Sequence, residues 1–241
     1  MVSAQNGGAG NNNTATGYAA LFSYTTGSNN TATGYQTLYS NMTGGSNTAS
    51  GYDALYFNTS GSFNTALGRG ALYKNTSSNN TAVGYQALNK NTNGIYNTAV
   101  GTQALAAVTT NAANTAVGYT ALNKSTGSAN TALGENALDN ATTGTNNIAV
   151  GAAVGASVTN GSSNIDIGNL GAAESNAIRI GTTGSQTSTY IAGINGMTVA
   201  GGSACSSIAM VISARARPRR ASRMTSSRWT ARAKRFFRSS R

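Results

Sequence analysis

Between residues 13 and 151 the chain repeats one five-residue phrase, Asn-(Thr/Ile)-Ala-x-Gly, nine times. The phrase opens at Asn13, Asn30, Asn47, Asn64, Asn80, Asn97, Asn114, Asn130 and Asn147. It closes at Gly17, Gly34, Gly51, Gly68, Gly84, Gly101, Gly118, Gly134 and Gly151. Successive glycines lie 17, 17, 17, 16, 17, 17, 16 and 17 residues apart. A short fixed period of this kind means one structural unit stacked on copies of itself.

Residues 80–96 spell out one unit: Asn-Thr-Ala-Val-Gly-Tyr-Gln-Ala-Leu-Asn-Lys-Asn-Thr-Asn-Gly-Ile-Tyr. Its apolar residues fall in two short runs, Thr-Ala-x before the glycine and x-Ala-Leu after it. Neither run is long enough for a helix, and no 3.6-residue period spans the unit. The remainder is Asn, Thr, Ser and Gly, which form turns through left-handed backbone geometry or side-chain bonds to the backbone. The expected unit is two small strands and two turns, each coil laid on the next at about 4.8 Å. That is an all-β solenoid of 16–17-residue coils.

Stacking turns each position of the unit into a column. Leu21, Leu38, Leu55, Leu72, Leu88, Leu105, Leu122 and Leu138 form one, with Val154 near it in the next coil. An alanine, once Thr37, precedes each of those leucines, and a second alanine column runs from Ala15 to Ala149. Small and medium apolar side chains at fixed places suit a thin coil interior, so the leucines are the expected core. The nine asparagines are expected to form a structural amide ladder, each side chain bonding its neighbour one rung away.

The position before each glycine reads Thr16, Thr33 and Ser50, then Leu67, Val83, Val100, Val117, Leu133, Val150 and, further on, Ile167. In a strand it points opposite to the inward alanine and faces outward. From Leu67 on, it makes an apolar stripe of a size that soluble monomers rarely leave open. These residues are therefore expected to pack against copies of the same chain about a symmetry axis, most simply a threefold. Tyr18, Tyr35, Tyr52, Tyr85 and Tyr119 follow the glycine in five coils, while Arg69, Thr102, Glu135 and Ala152 take the place in others. Two readings suit such a tolerant position: a tyrosine covering apolar surface, or an aromatic stripe for glycan or protein contact.

The runs Asn-Ile-Ala-Val-Gly-Ala-Ala-Val-Gly-Ala (147–156), Asn-Ile-Asp-Ile-Gly (164–168) and Ile-Arg-Ile-Gly (178–181) resemble the head repeats of YadA-like trimeric autotransporter adhesins. They are also similar to repeats in phage-type tail fibres. The resemblance covers about residues 11–181 and implies a left-handed parallel β-roll, three chains about one axis, and a surface that binds host or matrix material. The repeats here are longer than the usual head unit, the extra residues falling in the polar loop. Residues 182–203, with Thr-Tyr-Ile-Ala-Gly-Ile-Asn-Gly-Met-Thr-Val at 189–199, resemble the connector that precedes an autocleaving intramolecular chaperone domain. The implied organisation is a partial coil over 1–12, a β-roll over 13–181, a connector over 182–203 and a basic tail of low order over 204–241.

The tail follows different statistics. Residues 1–203 carry five basic and five acidic residues, whereas 204–241 carry eleven basic residues and no acid, which accounts for the whole net charge of +11. The tail also holds the only Cys205, Pro218 and Trp229 and none of the thirty glycines. A frameshift accounts for this. Met224-Thr225 and Trp229-Thr230 each force an aspartate codon in the shifted frame, and permitted codons for 221–230 then read Phe-Lys-Asp-Asp-Ile-Lys-Pro-Met-Asp, similar to the opening of the chaperone domain. The chain is thus expected to lack that chaperone and its self-cleavage, and to end in a disordered basic tail. Read instead as genuine, Arg215, Arg217, Arg219, Arg220, Arg223 and Arg228 would bind polyanions without sequence preference and with steep salt dependence, aided by Trp229 and Phe236-Phe237.

With no histidine and a single cysteine, the chain offers neither a zinc-type cluster nor an internal disulfide. Its acids, Asp53, Glu135, Asp139, Asp166 and Glu174, share no column and read as solvated loop residues. No acid/base pair, catalytic triad or aspartate-rich Ca²⁺ repeat is expected, so the chain reads as a non-enzyme without cofactor. No signal peptide or transmembrane stretch is visible, which weights the tail-fibre alternative. Paired threonines, Thr14/Thr16 and Thr31/Thr33, suggest an ice-binding solenoid, but the pattern fails at Ser50 and ends at Leu67. The expected function is a structural, adhesive fibre segment at a cell surface or virion tail. Its partners are its own copies in a homotrimer and a host or bacterial surface receptor, a glycan or matrix protein, with no specific nucleic acid.

Overall fold

The computed structural model describes residues 9–23, 26–186 and 188. They build a parallel β-solenoid of eleven three-residue strands: β1 (Thr14–Thr16), β2 (Thr31–Thr33), β3 (Thr48–Ser50), β4 (Thr65–Leu67), β5 (Thr81–Val83), β6 (Thr98–Val100), β7 (Thr115–Val117), β8 (Thr131–Leu133), β9 (Ile148–Val150), β10 (Ile165–Ile167) and β11 (Ile178–Ile180). Each strand pairs only with its sequence neighbours, in the order β1 to β11. The register equals the repeat, as in Ala82↔Ala99 and Val100↔Val117. Adjacent strands lie about 4.8 Å apart, so ten coil steps make a sheet roughly 48 Å long. The connector, apart from residues 182–186 and 188, lies outside the described residues, as do the basic tail and residues 1–8 of the partial coil.

One strand per coil, rather than two, is the first difference from the sequence expectation. The x-Ala-Leu run is not pleated, because two of its positions take left-handed backbone: Gln86 and Leu88 have φ of 54° and 50°, and Gln103 and Leu105 repeat this at 56° and 53°. A pleated strand needs negative φ throughout. The alternation bends the chain tightly yet keeps its peptide groups pointed along the rod. Gln103 N–H donates to Tyr85 O in the preceding coil (2.8 Å), and Leu88 N–H to Ala104 O in the following one (3.0 Å). A left-handed leucine costs about 1–2 kcal/mol. Burying its side chain completely returns about 1.5–3 kcal/mol, which outweighs the strain.

The leucine column is that core. Leu21, Leu38, Leu55, Leu72, Leu88, Leu105, Leu122 and Leu138 are all buried, interleaved with both alanine columns. Coils approach so closely that the glycine of the repeated phrase has no substitute. Gly101 has φ 136°, and a Cβ there would lie 2.3 Å from Gly118 O in the next coil. The two 16-residue coils both omit one residue in the same turn: Asn75-Thr76-Ser77 stands where the coil before has Asn58-Thr59-Ser60-Gly61, and Ser125-Thr126-Gly127 repeats the deletion.

The last step, from β10 to β11, spans only 13 residues and changes the interior. Asp166 occupies the inward position that alanine holds in β1–β9, and is buried. Arg179 lies directly across in β11 and donates from Nη1 to Asp166 Oδ1 at 3.1 Å, while Nη2 meets Glu174 Oε1. The expectation that the acids are solvated loop residues therefore fails at Asp166. The register places a guanidinium opposite the buried carboxyl, closing the end of the apolar interior with an ion pair.

Candidate functional site

The polar columns of the interior differ from the expected amide ladder. Asn30, Asn47, Asn64, Asn80, Asn97, Asn114, Asn130 and Asn147 are buried, with Asn13 half-buried at the open end. Their principal partners are backbone groups. Asn30 Oδ1 accepts from the Asn47 N–H (3.0 Å), and Asn30 Nδ2 donates to Gly44 O (2.9 Å); the same pair of bonds recurs along the rod. Among the described residues, direct amide-to-amide bonds within this column join only Asn97 to Asn114, Asn130 to Asn147 and Asn147 to Asn164, at 3.1–3.2 Å. The reason is the tight turn beside the column, whose carbonyls have no strand partner and take the amide hydrogens instead.

A true amide ladder does exist, in a column that the five-residue phrase does not contain. Asn58 Nδ2 donates to Asn41 Oδ1 (2.8 Å), Asn75 to Asn58 (3.2 Å) and Asn91 to Asn75 (2.7 Å), all buried. The signal was present in the sequence: an asparagine seven residues after Gly34, Gly51, Gly68 and Gly84. Beyond Asn91 the position holds Val108, Ser125, Ala141 and Val158, also buried.

On the outer face of the sheet, Leu67, Leu133 and Ile167 are exposed, and Val83, Val100, Val117 and Val150 half-buried. The companion outward position is threonine in β1–β8 and isoleucine in β9–β11. The face thus grades from Thr14/Thr16 at one end to Ile178/Ile180 at the other, where the two isoleucines are 70% and 64% exposed.

The other surface feature is aromatic. Tyr18, Tyr35 and Tyr52 stack with ring centroids 5.2 and 4.8 Å apart. Arg69 holds the next rung, its guanidinium 5.4 Å from the Tyr52 ring and 5.9 Å from that of Tyr85, so cation–π contacts continue the stack through the break. A second stack runs beside it through Phe22, Tyr39, Tyr56 and Tyr73 at 5.2, 5.0 and 5.5 Å, with Phe57 edge-on to the last two rings. This second column was legible as the aromatic after Leu21, Leu38, Leu55 and Leu72. Partial burial, and then neighbouring tyrosines, push the Tyr35 and Tyr56 hydroxyls above the ordinary tyrosine range.

Between the two stacks runs the position two after each glycine: Gln36, Asp53, Gly70, Gln86 and Gln103. Gly70 leaves a gap in it, a notch of about 230 Å³ bordered by Tyr52, Asp53, Arg69, Tyr73, Gln86 and Asn89. Asp53 Oδ1 is buried there without a hydrogen-bond partner. Burial raises the Asp53 carboxyl above its ordinary value, opposed in part by the Arg69 charge. Asp53 is thus a second acid that is not simply solvated. Asn89, where a fifth ring of the second stack would stand, turns its amide onto Gly70 O at 3.1 Å. Compared with family models, curated proteins and solved structures, the chain matches none.

Proposed function

We propose that the chain is a structural, adhesive fibre segment. Three β-rolls associate through the outer face of their sheets and present the rest of the circumference to a host, matrix or bacterial surface. The observation that carries this reading is the apolar outer column from Leu67 to Ile167, which widens to two isoleucine or valine columns over β9–β11. An exposed to half-buried apolar run of that extent on an outer face favours a partner, and a straight repeating column is most simply complemented by the same column on another copy. Association then begins at the β9–β11 end, and the aromatic stacks of the first five coils lie toward the other. The resemblance to trimeric adhesin heads and phage-type tail fibres agrees with that division. Three copies of one weak surface bind by avidity, which needs no deep pocket on any single chain. The setting that follows is extracellular or on a virion tail.

Beads coated with the full chain test the adhesive half of the reading. Retention on matrix-coated glass, on animal cells or on bacterial cells, above that of albumin-coated beads, is the expected result. Equal retention on all three surfaces would refute adhesion.

A further inference from the structure

The notch at Gly70 lies in the coil where the first aromatic stack and the polar column are interrupted and the second stack reaches its last ring. Arg69 replaces a tyrosine, Gly70 replaces a side chain that is Gln or Asp in the coils on either side, and Tyr73 is the last ring of its stack. Tyr56 covers one face of Tyr73 and Phe57 meets it edge-on. Its opposite face has no ring against it among the described residues, since the next rung is Asn89 and that amide is drawn to Gly70 O.

We infer that this notch binds a single pyranose ring of a surface glycan, its apolar C–H face on Tyr73 and its hydroxyls on Asp53, Gln86, Asn89 and Arg69. The inference rests on the adhesive reading and names the class of ligand for it. A sugar ring presents one apolar face and a rim of hydroxyls, so it needs a flat apolar platform beside several donors and acceptors. Tyr73 is the platform. Asp53 is an acceptor, Gln86 and Asn89 offer both functions, and the Arg69 guanidinium donates. Among the described residues Arg69 makes no ion pair, its place being fixed by the tyrosine rings at either side. A pocket for a drug-sized ligand measures about 300–1,000 Å³, so a notch of about 230 Å³ takes one ring and leaves the rest of a glycan in solvent. No other described coil combines a missing side chain in the central column with an aromatic ring at the end of a stack.

The test is saturation-transfer NMR on the full chain with single methyl glycosides of hexoses, N-acetylhexosamines and hexuronic acids, and adenosine as a flat-ring control. Two variants accompany it. Gly70→Gln fills the notch with the residue found at Gln36, Gln86 and Gln103, all at φ of 49–56° against 65° for Gly70, so the backbone needs no change. Tyr73→Ala removes the platform. Transfer to at least one glycoside, strongest on the protons of one ring face and lost in both variants while their melting curves stay cooperative, is the expected result. Transfer to none, transfer to adenosine alone, or transfer unchanged in Gly70→Gln overturns the inference. Bead retention measured on the same preparations separates the two readings. Adhesion without glycoside transfer leaves the adhesive reading standing and removes the notch, and transfer without adhesion does the reverse.

Discussion

The amide column that starts at Asn41 stops at Asn91 because Val108 holds the next rung, leaving the buried Oδ1 of Asn91 without a donor. Every Oδ1 before it in the column receives a hydrogen from the asparagine one coil on. The interior therefore changes at this point from a hydrogen-bonded polar column to an apolar one, and the unsatisfied atom marks the boundary.

Removing that atom is expected to cost little. In Asn91→Val, the single Ser77 hydroxyl hydrogen serves Asn75 Oδ1 at 2.9 Å, and Gly94 O keeps Asn80 Nδ2 at 2.8 Å. Asn58→Val instead leaves Asn41 Oδ1 buried with no donor, a loss of about 1–3 kcal/mol. At about 2–4 °C per kcal/mol for a chain of this size, the Asn58 variant melts several degrees lower. The Asn91 variant melts at or above the parent. Equal destabilisation by both contradicts the account of the ladder.

Glycines of the repeated phrase and Gly70 are expected to differ sharply. Gly101→Ala forces a Cβ to within 2.3 Å of Gly118 O at φ 136°, a backbone contact that no rotamer relieves. The loss should exceed about 4 kcal/mol, in the range reserved for severe core lesions. At Gly70 the nearest atoms are the Asn89 and Gln86 side chains, at 3.3 and 3.6 Å, which can move. Thermal melts followed by circular dichroism distinguish the two, and near-parental stability of Gly101→Ala refutes the close-approach argument.

Asp53 gives a pH dependence of definite sign. Its folded pKa is raised, so the folded chain holds the proton more tightly than the unfolded chain does. The stability linked to this group is therefore fully present at low pH and falls as pH rises through the ordinary carboxylate range to the folded value. Asp53→Asn removes the buried charge and keeps a side chain that the same column accepts at Asn136, with φ 54°. The variant is expected to melt above the parent at pH 7, the gap closing as pH falls to about the Asp reference pKa of 3.9. A gap that widens on acidification contradicts the burial argument.

The period, the parallel stacking, the leucine core and the outward apolar column were legible in the sequence because each depends only on which residue recurs where. The left-handed backbone was not. Leu88, Phe63 and Tyr96 have φ of 50°, 59° and 59°, although none of these residue types favours that region. Bonds between coils hold them there, such as Phe63 N–H to Gly45 O at 3.0 Å. Spacing within one repeat carries no trace of such bonds. The buried pairing of Asp166 with Arg179 escaped for the same reason, since it depends on a register step of 13 that departs from the period. Of the candidate site, the tyrosine column was visible, but the notch arises from a side chain that Gly70 lacks.

Self-association through the sheet face is the central claim, and the solution mass of the full chain measures it most directly. Multi-angle light scattering of the chromatographed protein is expected to give about three times the 24.3 kDa of one chain. Val117→Lys, which places a charge mid-column, should shift that mass toward the monomer while leaving the melting curve cooperative. A stable monomer mass for the parent chain would contradict the account.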